Sequence, residues 1–377
     1  MGKKTRRKKI NLPQAKLKKV SGRLSKQLER NYPVRFSGKS KASFANFFLL
    51  VLFACFFHGS LTQASVIGRL QNTDLPSTDL LFEEYLNSAK RKTVLCWINS
   101  IVNDNSLLLK RLRILHLRHD VAVDFVEFPV STKAKKRDRY IHKTRRAKGT
   151  AYCYKFLAAS IEINGCWRAV LILPIKRGMT ALDALKRLVL ILKRKGINID
   201  CLLLDRGFYS VEIINWFKSA GIHFLMPVRK TGPMELQLDG AETKYSVKDG
   251  FISSVGGKAT FTLAIISKNK KKYGFATNLP VRNWWDVKAL GKRYRRRWGI
   301  ENLFKQIKGD FCIKTCSRNN AVRILLVLTA FFLYNLVRLK KEECFPNNGS
   351  VSNKTFVWVV FFSIFTTMLI QHSSTLT

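Results

Sequence analysis

The order of strand-like and helix-like segments between residues 121 and 228 limits the folds open to this chain more than any other sequence feature. Apolar side chains first alternate, as in half-buried strands, and later recur every three to four residues, as in amphipathic helices. The predicted strands cover 121–129, 149–161, 167–174, 201–204 and 224–228, and the predicted helices cover 180–196 and 210–221. Three strands followed by alternating helix and strand predict an α/β (α+β) fold.

Two acidic residues stand at chemically informative places in these strands. Asp124 falls in the middle of the first strand, on the face opposite Val123 and Phe125. Acids are depleted in strands and are costly to bury unless they are paired or bound to metal. Asp205 follows the apolar strand 201–204, at the carboxyl end where α/β folds place ligand-binding groups. A turn or capping role is the simpler alternative for Asp205.

A third acid lies in the basic stretch 292–308, KRYRRRWGIENLFKQIK, which is predicted to form one helix. At about 100° per residue, Tyr294, Arg297, Glu301 and Lys308 fall within about 60° of one another. The apolar residues of the stretch cluster on roughly the opposite side. A carboxylate among three candidate phosphate ligands suggests metal-assisted chemistry on a phosphodiester. The alternative is a solvated face with weak ion pairs.

The Y-x2-R-x3-E-x6-K spacing of residues 294–308 resembles the YREK signature of insertion-sequence DDE transposases. The flanking segments agree with that family, namely YGFATNLP at 273–280 and YNL at 334–336. The resemblance extends over roughly residues 121–339. It implies an RNase H-like catalytic core, in which 233–280 would be the β-rich insertion that this group carries before its glutamate helix.

The same resemblance implies a set of site residues. LLLDRGF at 202–208 looks like the second-acid motif of these transposases, and Asp124 matches the first acid by position. Asp124, Asp205 and Glu301 would then be the catalytic residues and the ligands of two Mg²⁺ ions, for which Mn²⁺ can substitute. The expected DNA-binding and phosphate-binding residues are Tyr294, Arg297, Lys308, Arg206, Trp298, Lys135, Lys136, Arg137, Arg145 and Arg146.

The tryptophans near this stretch allow two interpretations. Trp298, or the pair Trp284 and Trp285, could stack on an unpaired base at a DNA end, because every base presents a π-face. Packing in the core is the preferred interpretation for all three.

The charge of the chain restricts its partners. There are 68 Lys and Arg residues against 24 Asp and Glu, a formal net charge of +44, which favours a polyanion and above all nucleic acid. Residues 1–43 contain one acid, Glu29, and 133–148 is predicted to be a basic loop placed to guide DNA. The resemblance to DDE transposases implies more specific partners, namely double-stranded DNA, as terminal inverted repeats and as target, and a second copy of the chain in a synaptic homodimer. No small-molecule substrate is expected.

Two apolar segments raise a membrane alternative. Residues 47–57 and 356–370 are eleven and fifteen residues long, against about twenty needed to cross a bilayer. Buried or dimer-packing helices are therefore preferred. The eight scattered cysteines have no metal-binding spacing, which indicates free thiols in a reducing cytosol. The resemblance to insertion-sequence transposases implies a prokaryotic cytoplasm and an association with the nucleoid.

These patterns together predict a DDE transposase that cuts and transfers DNA strands at the ends of its insertion sequence. The alternatives are a DNA-binding derivative without catalysis and a basic membrane-associated protein. The predicted domains are a basic tail at 1–43, a helical DNA-binding region at 44–118, the first part of the core at 119–232, a β-rich insertion at 233–280, the rest of the core at 281–342 and an apolar helix at 343–377.

Overall fold

The computed structural model describes residues 50–51, 54–55, 59–70, 114–130, 138–147, 150–163, 165–239, 244–255, 257–269, 271–311, 315 and 319–344. The basic tail at 1–43, most of the helical region 44–118, the side chains of Lys135, Lys136 and Arg137, and the apolar segment 356–370 lie outside these residues. The chain divides into two compact units, Arg113–Leu303 and the pair Met1–Leu112 with Phe304–Thr377.

Within the described residues, a nine-stranded mixed sheet forms the centre of the unit Arg113–Leu303. Its strands are β1 (His119–Val130), β2 (Ile141–Ala147), β3 (Thr150–Ile163), β4 (Cys166–Pro174), β5 (Ile199–Leu204), β6 (Phe224–Pro227), β7 (Tyr245–Ser254), β8 (Gly257–Lys268) and β9 (Lys271–Thr277). They are ordered β2-β3-β1-β5-β6-β9-β8-β7, and β4 also pairs with β3. The pairs β1–β5 and β5–β6 are parallel, and the other pairs are antiparallel.

The described helices are α1 (Leu61–Leu70), α2 (Ala181–Arg194), α3 (Val211–Ser219), α4 (Gly232–Asp239), α5 (Trp284–Arg295), α6 (Trp298–Gln306) and α7 (Asn320–Cys344). Local sequence signals set the ends of α2. Thr180 Oγ1 accepts a hydrogen bond from the Asp183 backbone N–H at 3.0 Å, and Gly196 adopts φ +71° just beyond the helix. Ser210 caps α3 in the same way.

The basic segment after β1 differs from its prediction as a loop. Residues 141–147 form β2, which pairs with the first part of β3, so four strands rather than three precede α2. Tyr140 and Ile141 are both 3% exposed, and burying them anchors the segment to the sheet. The backbones of Arg145 and Arg146 therefore belong to a strand.

The segment predicted as a β-rich insertion continues the main sheet. β7, β8 and β9 form an antiparallel meander, and β9 pairs with β6 through Leu225–Thr277 and Pro227–Phe275. Part of the YGFATNLP segment is thus β9, a strand that the sequence pattern did not predict.

The second unit is described in part. Leu50, Val51, Ala54 and Cys55, in the segment 47–57, are helical and at most 1% exposed. In the same unit Phe311 packs edge-on against Tyr334 of α7, with ring centroids 6.0 Å apart. No helix in the described part of the chain is long and apolar enough to cross a membrane.

Candidate active site

Parallel pairing of β1 and β5 brings two of the three acids together. Val123 is the register partner of Leu204, and Asp124 and Asp205 are the next residues on the two strands. The Asp124 side chain is 17% exposed, and its Oδ1 accepts a hydrogen bond from the Phe125 backbone N–H at 2.7 Å. Asp205 ends β5 and caps the 3₁₀ turn Arg206–Phe208 through a bond from the Arg206 backbone N–H.

The stretch carrying the third acid is two helices rather than one. α5 ends at Arg295, Arg296 and Arg297 form a turn, and α6 starts at Trp298. A constant 100° per residue therefore does not apply across the stretch. Beyond α6 the backbone widens into a π-helical turn, Ile307–Phe311, which contains Lys308.

Arg297 connects the acids across the two halves of the site. Its Nη1 donates to Asp124 Oδ2 at 3.0 Å, and its Nη2 forms an ion pair with Glu301. Its Nε lies 3.0 Å from the Tyr294 hydroxyl, which donates to the Leu204 carbonyl at 3.2 Å. Arg297 is only 7% exposed, so the alternative of a solvated face with weak ion pairs is wrong for this residue.

Burial controls the electrostatics of this network. It raises the pKa of the Asp124 carboxyl to about 6, against the attraction of Arg297 and with added repulsion from Asp205 and Glu301. Burial likewise raises the pKa of Tyr294 to about 12, so its phenol stays protonated and can donate to Leu204. The site therefore contains one buried cation, Arg297, and three acidic side chains, Asp124, Asp205 and Glu301.

The acids have suitable chemistry for a hard divalent cation, but their arrangement does not form a site for one. Among the residues that the structure describes, no three Asp, Glu, His or Cys side chains are placed to hold a common metal ion. Both oxygens of Asp124 already accept hydrogen bonds, one of them from Arg297, which also pairs with Glu301. Arg297 is thus the cation between these two carboxylates.

A second ion cluster holds the turn between α5 and α6, and sequence reasoning missed it. Asp120, whose side chain is 3% exposed, accepts from both Arg293 and Arg296. Arg293 also pairs with Asp200, and Arg296 pairs with Glu162 at 2.6 Å. The only signal of this cluster in the sequence is the run of arginines. A basic run does not show which acidic residues it will contact in the fold, so the cluster could not be predicted.

Gly299 has a packing role at the start of α6. A Cβ at this position would collide with the indole of Trp167 in β4. Glycine interrupts a helix at about 1 kcal/mol relative to alanine, and here its missing side chain permits the contact. Trp167 therefore helps to set where the helix that carries Glu301 begins.

The remaining predicted contacts lie in several places. Arg206 is exposed next to Asp205, and Lys308 is exposed in the other unit.

Core packing was the wrong interpretation for the tryptophans, since Trp284, Trp285 and Trp298 are 44%, 55% and 60% exposed.

The comparisons with known proteins agree with this architecture. Residues 120–336 match the family model described as Transposase DDE domain. This match covers more than half of the chain, and the chain therefore belongs to the DDE transposase-domain family. The fold is RNase H-like with the sheet extended by β7–β9.

Solved structures of similar fold include a transposase in complex with DNA. The piggyBac transposase, in a cryo-EM structure of its synaptic complex with hairpin DNA, matches with a TM-score of 0.55 and 12% identity. The match covers 93% of this chain and 77% of that chain. The sequence matches none of the curated proteins with which it was compared.

Proposed function

We propose that this chain is an active transposase that binds the ends of its own insertion sequence and cuts and transfers DNA strands there. The observation that supports the proposal most is the network joining Asp124, Glu301 and Arg297 beside Asp205. A buried carboxylate with a raised pKa and a specific charged partner is typical of functional sites.

The proposed roles follow from the chemistry of each group. Asp124, Asp205 and Glu301 are the catalytic acids, and Arg297 is a phosphate ligand, because a planar guanidinium matches two phosphate oxygens. Tyr294 orients Arg297 through its hydroxyl. Mg²⁺, with Mn²⁺ as a substitute, is the proposed cofactor, since carboxylates are hard oxygen donors. Asp124, Asp205 and Glu301 would hold such ions, which would make a water or a 3′-hydroxyl more acidic and would stabilise the leaving oxygen.

The proposed partner is double-stranded DNA, as the terminal inverted repeats and as the target, held by a homodimer in the cytoplasm of a prokaryotic cell. The charge of +44 supports strong phosphate binding. Arg206 and Trp298 are exposed and are proposed to contact DNA close to the acids. Lys308, Lys135, Lys136, Arg137, Arg145 and Arg146 complete the proposed contacts.

The proposal is tested with the full chain and a labelled DNA fragment that carries the gene's own flanking repeats. The wild type is expected to cut this fragment with Mg²⁺ and not with EDTA. Asp205→Asn is expected to bind the same DNA in a gel shift and to lose cutting by orders of magnitude. Asp239→Asn is the matched control, because this exposed acid lies on α4, and its ion pair with Lys272 is at the surface.

Three outcomes would contradict the proposal. Equal cutting by the wild type and Asp205→Asn would remove the acid assignment. Binding without any cutting by the wild type would favour the second candidate, a DNA-binding derivative without catalysis. An absence of inverted repeats in the flanking DNA would argue against an insertion-sequence origin.

A further inference from the structure

Three aromatic rings stack on one another at the start of α5, the end opposite the turn that holds Arg297. The rings of Trp284 and Trp285 have centroids 3.7 Å apart and planes 24° apart. Tyr245, the first residue of β7, stacks on Trp284 at 6.1 Å and 21°. Trp284 is therefore the middle ring of this aromatic stack, and Trp285 is one of its ends.

The aromatic stack lies at the surface. Trp284 and Trp285 are 44% and 55% exposed, and other residues of α5, among them Val287 and Leu290, are buried instead. Because Trp284 covers one face of Trp285, the exposed area of Trp285 includes much of its other face. Clustered exposed apolar side chains indicate a binding surface, whereas single ones do not.

The charged groups close to these rings are cationic. Lys288 Nζ lies 5.3 Å and 5.8 Å from the ring centres of the two tryptophans, and Lys244 Nζ lies 5.8 Å from that of Tyr245. The acid next to the tryptophans in sequence, Asp286, accepts a hydrogen bond from the Arg282 backbone N–H at 2.8 Å. Flat rings beside ammonium groups match a ligand that has planar rings and negative charge.

A row of basic residues continues from the aromatic stack along α5. Because α5 is an unbroken helix, about 100° per residue applies within it. Four residues then fall within about 80° of one another on one face of α5, namely Trp285, Lys288, Lys292 and Arg295. The buried residues of α5 lie on the other side, and Lys292 and Arg295 are exposed. This basic row ends beside the turn that holds Arg297.

We infer that this face of α5 binds an unpaired DNA strand, with one base stacked on Trp285 and the phosphates beside the basic row. Every base has a π-face that can extend the aromatic stack, but in a duplex the neighbouring base pairs cover those faces. At a rise of about 1.5 Å per residue, Arg295 lies about 15 Å along α5 from Trp285. That length corresponds to about four nucleotides at the spacing of about 3.4 Å in a stacked strand.

The inference rests on the proposed function in naming DNA, since the acids proposed to cut DNA adjoin the end of the basic row. The strand on α5 would thus be held about four nucleotides from the cutting site. A second copy of the chain fits this surface less well, because its formal net charge is also +44 and the basic row would face like charge.

The test compares two strands of equal length and charge, an oligothymidylate about eight nucleotides long and the same sugar–phosphate chain without bases. Their affinities for the full chain are measured by fluorescence anisotropy, at a salt concentration that weakens phosphate binding. The ratio of the two affinities is the base preference. We expect the wild type to prefer the strand with bases at least about tenfold, and Trp285→Ala to lower this preference about tenfold. Trp285→Phe keeps a flat ring and should retain most of it.

Two further variants separate stacking from charge and from aromatic exposure in general. Lys292→Gln should weaken the binding of both strands equally and leave the base preference unchanged, since it removes a phosphate contact. Phe251 is the matched aromatic control, because it is 40% exposed and Lys258 Nζ lies 4.6 Å from its ring centre. It lies about 20 Å along β7 from Tyr245, at about 3.4 Å per residue, so Phe251→Ala should leave the preference unchanged.

A base preference in Trp285→Ala equal to that of the wild type would overturn the inference, and so would an equal loss in Phe251→Ala. Circular dichroism establishes that each variant is folded. If Trp285→Ala is not folded, Trp285→Leu replaces it, with the same loss expected and the same refutation. Sedimentation that shows a dimer becoming monomers in Trp285→Ala, with an unchanged base preference, would make this surface an interface between copies and would overturn the inference.

Stacking and cutting can fail separately. A wild type that cuts the labelled fragment but shows no base preference would overturn only this inference. A wild type whose base preference is lost in Trp285→Ala, but which does not cut, would contradict only the proposed function.

Discussion

Replacing Asp124 by Asn is expected to abolish strand cleavage and to make the protein more stable at neutral pH. Burial raises the pKa of Asp124 from 3.8 to about 6, and this value already includes the attraction of Arg297. The folded protein therefore disfavours the ionised carboxylate more than the unfolded chain does. Asn has the shape of the protonated acid and does not carry that penalty.

The magnitude follows from the pKa difference between the two states. One pKa unit corresponds to about 1.36 kcal/mol, so a difference of about 2 gives about 3 kcal/mol at pH 7.5. Between pH 4 and pH 6 the folded state binds more protons than the unfolded state, and the contribution of Asp124 to stability falls as the pH rises. The advantage of Asp124→Asn should therefore shrink to about 1 kcal/mol at pH 4.5.

The assay is urea unfolding of the wild type and Asp124→Asn at pH 7.5 and 4.5, followed by tryptophan fluorescence. Asp239→Asn is the control. The Asp239 side chain is 73% exposed, and surface ion pairs contribute little, so its unfolding free energy should change by less than about 1 kcal/mol at both pH values. A lower stability of Asp124→Asn at pH 7.5 would refute the reasoning, because Arg297 would then outweigh burial and the neighbouring acids.

The Gly299 contact, the exposed tryptophans and the overall charge give further expectations. Gly299→Ala should slow cleavage at least tenfold, since the new Cβ collides with Trp167, and cleavage rates should show partial recovery in Gly299→Ala combined with Trp167→Ala. Trp284→Ala and Trp285→Ala should leave the thermal midpoint within about 2 °C of the wild type, because both side chains are half exposed; a fall of 5 °C or more would restore the core interpretation. DNA affinity should fall steeply on a log–log plot against salt, with a smaller slope after deletion of residues 1–41, and a flat plot would contradict phosphate-dominated binding.

The closeness of Asp124 and Asp205 could be anticipated from the sequence. Alternation placed Asp124 inside a strand, and the apolar run before Asp205 marked a buried strand. Neither pattern shows how β1 and β5 align. Their register is set by the pairing of Val123 with Leu204. Hydrophobic periodicity therefore predicted the elements, while tertiary pairing decided which side chains meet.

The turn at Arg296–Arg297 could not be anticipated in the same way. A helical wheel assumes an unbroken helix, and its result depends only on spacing. The break is held by Asp120 and Glu162, which lie more than 130 residues earlier in the chain. The exposure of Trp298 is a similar case, since an indole is compatible with either environment until its neighbours are known.

The central claim is that Asp124, Asp205 and Glu301 act as one catalytic unit. The most direct measurement is single-turnover cleavage of a labelled transposon end by Asp124→Asn, Asp205→Asn, Glu301→Gln and the double variant Asp124→Asn with Glu301→Gln. Each single variant should lose cleavage by orders of magnitude, and the double variant should be no slower than its slower parent, because residues that act together are not additive. Wild-type cleavage by any single variant, or losses that multiply in the double variant, would contradict the claim.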